Sequence, residues 1–355
     1  MTVPIEAKWI KCFVETFKLS GAEEGDVVAV LSETQSREVL VKLSELALLQ
    51  IGAKLFHVKL PTPPLQDPVP MRSTGATPAV QGIEQVISAL STTKMVVDCT
   101  VEGMLHAPEL PAILAGGTRL MMISNEHPEI LERCMPDPAL KPNIDRGLKM
   151  LSDAKIMRVT SAVGTNLEID VTDAFGRGGA GYVEGPGKVG YWPAGLCLCF
   201  PKANSTNGTV VLDRGDVNLT FKRYLETPIT LTFKNDFVVK IDGNGLDAQL
   251  MREYYEAFND RNAYAVSHVG WGMNPSARWD SLVMFDKDQF NGTELRALAG
   301  SFLLSTGANE FANRFTRGHF DLPMRHCNIW LDDQQIIDEG RLLPPLAYLH
   351  QYLAR

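Results

Sequence analysis

Three histidines and one aspartate carry the chemistry that residue type and spacing make visible. His319-Phe320-Asp321 is a His-x-Asp pair. In an extended segment residues i and i+2 project to the same face, so this imidazole and carboxylate can share one metal ion. A further imidazole stands in Ser267-His268-Val269-Gly270-Trp271-Gly272-Met273-Asn274-Pro275, which reads as a glycine-punctuated loop after a short strand over 263–266. Loops at strand ends are where a rigid scaffold displays reactive groups. Two imidazoles and one carboxylate on one face of an ion leave coordination positions open, the donor set of non-haem Fe(II) oxygenases. On the residues alone, an ordinary hydrogen-bonded loop histidine beside an unrelated surface His-x-Asp stays equally open. His106 follows a strand ending at Cys99 by a few residues. Ligands of open α/β sheets bind beyond the carboxyl ends of strands, so this loop can line a pocket, although a plain surface histidine fits as well. His57 and His350 fall in apolar contexts and read as structural.

Other constellations fail on inspection. Gly176-Arg177-Gly178-Gly179-Ala180-Gly181 matches G-x-G-x-x-G, but Tyr182-Val183-Glu184-Gly185-Pro186-Gly187 follows it. The dinucleotide fingerprint needs a helix opening at its third glycine, with the pyrophosphate on that helix N-terminus, and this continuation cannot be one. A glycine-rich turn between strands is the expectation. The six cysteines contain no Cys-x-x-Cys, which predicts reduced, mostly buried thiols in a cytoplasm. There is no G-x-S-x-G elbow and no P-loop.

The elements that must position these residues change character along the chain. In the first part, 26–31 is an apolar, β-branched run suited to a buried strand. The stretch 36–51 then carries Leu40, Leu43, Ala47 and Ile51 at helical spacing and closes on Gly52, and 54–60 returns as a strand. A helix over 79–90, a strand over 95–99 and a strand over 120–123 follow. Such strand–helix–strand units predict a parallel sheet. Past the prolines of 136–142, 167–171 alternates strictly, and short strands are expected at 209–212, 219–221, 229–233 and 238–241, with helices over 245–258 and 293–304. The fold class is an α/β N-terminal domain with a parallel sheet, residues 1–150, followed by an α+β, strand-rich, metal-binding domain, residues 151–355.

Composition narrows the function classes. The 355 residues are 45% hydrophobic and 21% charged, with 34 Lys+Arg against 42 Asp+Glu and a formal charge of −8. Two globular domains fit that length, and the acidic balance argues against a nucleic-acid partner. No apolar run approaches the roughly 18 residues of a membrane span. The N-terminus lacks a basic segment followed by an apolar one, so the expected location is the cytoplasm.

The second half resembles the metallo-aminopeptidases of the thermophilic aminopeptidase T type. Gly164-Thr165-Asn166-Leu167, Pro193-Ala194-Gly195-Leu196, Asn207-Gly208-Thr209, Gly270-Trp271-Gly272-Met273-Asn274-Pro275 and Gly318-His319-Phe320-Asp321-Leu322 resemble that superfamily's landmarks in order. The resemblance covers roughly residues 150–345. It also shows departures: Leu196 stands where the peptidases have a metal-binding Glu, His268 where they have another Glu, and Arg296 where they have a His. A leucine cannot ligate and a guanidinium repels cations, so the two-metal clamp used for hydrolysis is dismantled.

The remaining pattern, including His-x-Gly-x-Gly-x-Asn-Pro and Gly-His-Phe-Asp, resembles the 2,5-dihydroxypyridine 5,6-dioxygenase branch. That resemblance implies a mononuclear Fe(2+) held by His268, His319 and Asp321. It implies 2,5-dihydroxypyridine and O2 as substrates in nicotinate or nicotine degradation, and a homo-oligomer. His106 is the candidate catalytic base. Ser267 and Asn274 are candidate hydrogen-bond partners of the ligands, although loop capping explains them equally well. The alternatives are a metal-dependent aminopeptidase or a degenerate, non-catalytic relative.

Overall fold

The computed structural model describes residues 4–65 and 75–348. A five-stranded parallel sheet opens the fold, in the spatial order Lys54–Leu60, Val27–Glu33, Met95–Asp98, Arg119–Ile123, Val189–Trp192. Its central strands are buried along nearly their whole length, as a sheet covered on both faces requires. Phe13 and Phe17 of helix Ala7–Leu19 and Leu40, Leu43 and Leu48 of helix Glu38–Ile51 pack on Val28, Val30 and Met121. Ile87, Leu90 and Ile113 cover the opposite face at Ala29, Leu31 and Val96. The expected Gly52 stop is real: it sits at φ 87 and caps the second helix.

The last strand of this sheet comes from beyond residue 150. Trp192 is fully buried in the first core, and its indole N–H donates to the carbonyls of Leu131 and Cys134 at 3.1 and 2.9 Å.

The rest of the chain is strand-rich, as expected. An eight-stranded sheet from Phe237–Asp242 to Arg341–Leu342 and a five-stranded antiparallel sheet contribute to one core. The five strands lie in the order Phe320–Met324, Phe302–Thr306, Val266–Gly272, Leu196–Phe200, Phe175–Gly179. Met157, Val159, Ile169 and Ile329 of the large sheet meet Val269, Trp271, Leu304 and Leu322 of the smaller one. Among the described residues no helix is long and apolar enough to cross a membrane. All six cysteines are unpaired and five are buried.

Several expectations need correction. The strand expected over 263–266 is a 3-10 turn, Arg261–Tyr264, and the real strand is Val266–Gly272, so His268 lies inside a strand and not in a loop. Its glycines serve close approach: a Cβ at Gly270 would stand 2.2 Å from the Cys197 carbonyl oxygen. The helix expected over 293–304 is a short helix, Thr293–Ala297, and then the strand Phe302–Thr306. Gly300, at φ +86 and with its Cβ position blocked by the Gly340 carbonyl, turns the chain between them. The helix over 79–90 begins only at Glu84, and 217–224 forms a two-strand ladder around 219–221. Gly176, Gly178 and Gly179 lie in an edge strand, with the turn after them. His57 is on strand Lys54–Leu60, and His350 lies outside the described residues.

Candidate metal centre

The smaller antiparallel sheet sorts its side chains by the two-residue period of strands. Cys197, Cys199, Val269, Trp271, Leu304 and Leu322 enter the core, while Leu196, Leu198, Phe200, His268, Leu303 and Asp321 line a cavity of about 410 Å³. Ser305 lies directly across from Asp321 in the ladder. Between Val266 and Val269 the register shifts, and such an irregularity re-aims a side chain near a site. Here that side chain is His268.

His319 is held by its backbone, one residue before its strand begins. Its N–H donates to the Tyr254 hydroxyl oxygen at 2.9 Å, and its carbonyl accepts from the Tyr254 and Thr220 hydroxyls, each at 2.9 Å. Gly307, at φ +127, faces it, and a Cβ there would meet the Gly318 carbonyl at 2.4 Å and His319 Nδ1 at 3.2 Å. Only glycine leaves the imidazole its place.

These elements bring three donors together. His268 Nε2 stands 3.7 Å from Asp321 Oδ1, and His319 Nε2 stands 3.3 Å from Asp321 Oδ2. One ligand atom from each of His268, His319 and Asp321 lies within 4.8 Å of the others. The carboxylate is fixed on both sides: the Ser305 hydroxyl donates to Oδ1 and Arg296 Nε–H donates to Oδ2 at 2.6 Å. Burial alone would raise the Asp321 carboxyl, but Arg296, and after it His319 and His268, hold it well below the ordinary carboxylate range. Burial lowers His268 to about 3 against the pull of Asp321, so that imidazole is neutral. Its Nδ1 is buried without a hydrogen-bond partner. An ionised carboxylate and a neutral imidazole whose Nε2 faces it are the protonation states that a divalent metal requires of its donors.

A family model described as 2,5-dihydroxypyridine 5,6-dioxygenase matches residues 8–344. The chain belongs to that family. It is 33% identical to the 2,5-dihydroxypyridine 5,6-dioxygenase of Pseudomonas putida strain KT2440 over 346 residues, 96% of this chain and 97% of that one. The solved 2,5-dihydroxypyridine dioxygenase from Pseudomonas putida KT2440 superposes with a TM-score of 0.89, covering 96% of this chain and 99% of the other. Wild-type AmpT from Thermus thermophilus superposes with a TM-score of 0.64 at 13% identity, covering 95% and 99%, which shows a shared aminopeptidase T-like fold. The chain is therefore an enzyme of a dioxygenase family.

In this dioxygenase-family chain His106 also faces the cavity. It is one wall away from the triad, with its ring centroid 6.4 Å from that of Phe200, which is in turn 5.4 Å from His268. Protein crowding around His106 leaves its ring open to the cavity but lowers its pKa to about 4, helped by the charge of Arg177. It is neutral near pH 7, with an unprotonated ring nitrogen facing the cavity, and its lowered pKa makes it a weaker base than a free imidazole. Ser267 and Asn274 do not touch the triad: the Ser267 hydroxyl donates to the Ala308 carbonyl at 2.5 Å and Asn274 Nδ2 to the Ala194 carbonyl at 2.8 Å.

Leu196 is buried against Ala297 and Leu303, a setting with no use for a metal ion. Two contributors escaped the sequence reading. Ser305 lies one residue past the stretch 293–304 that reads as helix, and no motif singles it out. Glu126, on the loop after the fourth strand of the parallel sheet, accepts the backbone N–H groups of Asn291 and Thr293, each at 2.8 Å, and so anchors the short helix that presents Arg296.

Proposed function

We propose that this chain opens the ring of 2,5-dihydroxypyridine between C5 and C6 with O2, giving N-formylmaleamic acid, in cytoplasmic breakdown of nicotinate or nicotine. The observation that carries the reading is the convergence of His268, His319 and Asp321 within 4.8 Å on the wall of one cavity, in a member of this family. The three residues would hold Fe(2+), which supplies electrons and an open face where the ring oxygen and O2 meet.

The chain's own residues do the rest. Neutral His106 accepts the proton of the ring hydroxyl. Ser305 and Arg296 hold the Asp321 carboxylate at a fixed orientation, which is how supporting hydrogen bonds tune a metal site. The guanidinium of Arg296 stays charged throughout and offsets negative charge that develops in the ring. Leu198, Phe200 and Leu303 line the space and keep water from the reacting atoms. The aminopeptidase alternative loses its ground at Leu196, which is apolar, buried and unable to ligate.

Oxygen labelling tests the reaction class. With ¹⁸O₂, both labelled atoms are expected in the N-formylmaleamate, with one O2 consumed per ring and no added reductant. Release of amino acids from short peptides without oxygen, and no consumption of the pyridine, would overturn the reading.

A further inference from the structure

We infer that the cavity recognises a dihydroxypyridine bearing a ring carboxylate, with Arg177 as the residue that binds the carboxylate. The inference rests on the proposed C5–C6 ring opening and extends its substrate from the plain ring to a carboxylated one, whose product would be the correspondingly carboxylated N-formylmaleamate.

The first observation is a mismatch of charge. The chain carries a formal −8, yet the ionisable lining of this cavity is weighted the other way: Arg177, Lys188 and Arg296 against Glu102 and Asp321. With a divalent ion on the triad the excess grows. A cationic lining within an acidic protein concentrates anions locally and disfavours cations.

The second is that the cations are not equivalent. Arg296 is committed to Asp321. Arg177 is engaged by no hydrogen bond or ion pair among the described residues, and its guanidinium rests 5.9 Å from the ring centroid of Phe175. Position aims it inward. It pairs across the sheet with Leu198, whose other neighbour is Gly270, so it stands in the row next to His268 and on the cavity face. It is solvent-exposed there, at the open side of the space, and near enough to His106 to lower its pKa.

The third concerns fit. A neutral dihydroxypyridine offers two hydroxyls and a ring nitrogen, which the triad and His106 already address. Among the described residues it leaves the planar guanidinium of Arg177, built for two parallel N–H···O bonds to a carboxylate, without an anionic partner. At roughly 30 Å³ per water, a cavity of about 410 Å³ has room for a substituent beyond one six-membered ring. A carboxylate on that ring uses both the space and the charge.

The test compares 2,5-dihydroxypyridine with its 3- and 4-carboxylates in the metal-loaded enzyme, by kcat/KM, and by calorimetric titration without oxygen, where no turnover occurs. The expected result is a preference of tenfold or more for at least one carboxylate. That preference should collapse towards unity in Arg177→Gln, chiefly through KM, and be partly restored in Arg177→Lys. It should also shrink as salt rises, because exposed charges are screened. If the plain ring is turned over as well as or better than both carboxylates, or if Arg177→Gln leaves the ratio unchanged, the inference fails and the proposed reaction stands. If no ring is consumed but oxygen-free binding of the carboxylates is tighter and depends on Arg177, the reaction fails and the anion subsite stands.

Discussion

Over three strands of the small antiparallel sheet, both faces are hidden from solvent and do opposite work. Every residue of Val266–Gly272 is buried, as is every residue of Phe302–Thr306 and Phe320–Met324. Yet Val269, Trp271, Leu304 and Leu322 meet only an apolar core, whereas His268, Ser305 and Asp321 meet one another. In strand Val266–Gly272 the register shift separates the two, with Val266, Val269 and Trp271 towards the core and His268 towards the cavity. Burial therefore does not mark the site. What marks it is buried polar groups satisfied by each other rather than by backbone, with one nitrogen left over.

The comparison can be broken at several strengths. His268→Ala, His319→Ala or Asp321→Ala should each remove both the bound metal and ring cleavage while circular dichroism stays native, because three donors leave no spare. Metal content per chain and oxygen uptake report this, and full metal with normal turnover in any one variant would strike that residue from the ligand set. On the other face, Trp271→Ala should cost about 3–5 kcal/mol of stability, read by denaturant unfolding, with metal still bound by the folded fraction. A Trp271 variant of normal stability that had lost its metal would mean the faces are not separable. Ser305→Ala should be the mildest: metal affinity falling about 10–100-fold in a metal-competition titration, with the unfolding midpoint nearly unmoved.

Legibility followed the same division. The central strands of the parallel sheet are legible because they are continuous apolar runs, the edge strand Lys54–Leu60 because Gly52 and Pro61 bound it, whereas Val189–Trp192, far along the chain, carries no such signal. His319 and Asp321 were readable because they share one extended segment. The stretch 297–304, Ala-Leu-Ala-Gly-Ser-Phe-Leu-Leu, was not. A strand buried on both faces has no polar side to betray its period, so it imitates a buried helix, and the strand that carries Ser305 past its end stays unseen. His268 reads as a donor in a loop, since Gly270 and Gly272 look like turn signals when they are sites of close strand approach. Arg296 was reached only through the resemblance, because spacing alone says nothing of its contact with Asp321, 25 positions away.

The strand Val189–Trp192 sets an order of assembly. As the polypeptide leaves the ribosome, Arg119–Ile123 is an open edge, and the slot that Trp192 fills in the first core is vacant until residue 192 has been made. Three strands of other sheets, Ile156–Ser161, Asn166–Asp170 and Phe175–Gly179, emerge during that wait. Pro193, Ala194 and Gly195 then lead straight from Trp192 into Leu196–Phe200, one wall of the cavity. Sealing the N-terminal layer and starting the first wall of the cavity are thus consecutive along the chain, and the walls at Val266–Gly272, Phe302–Thr306 and Phe320–Met324 follow later.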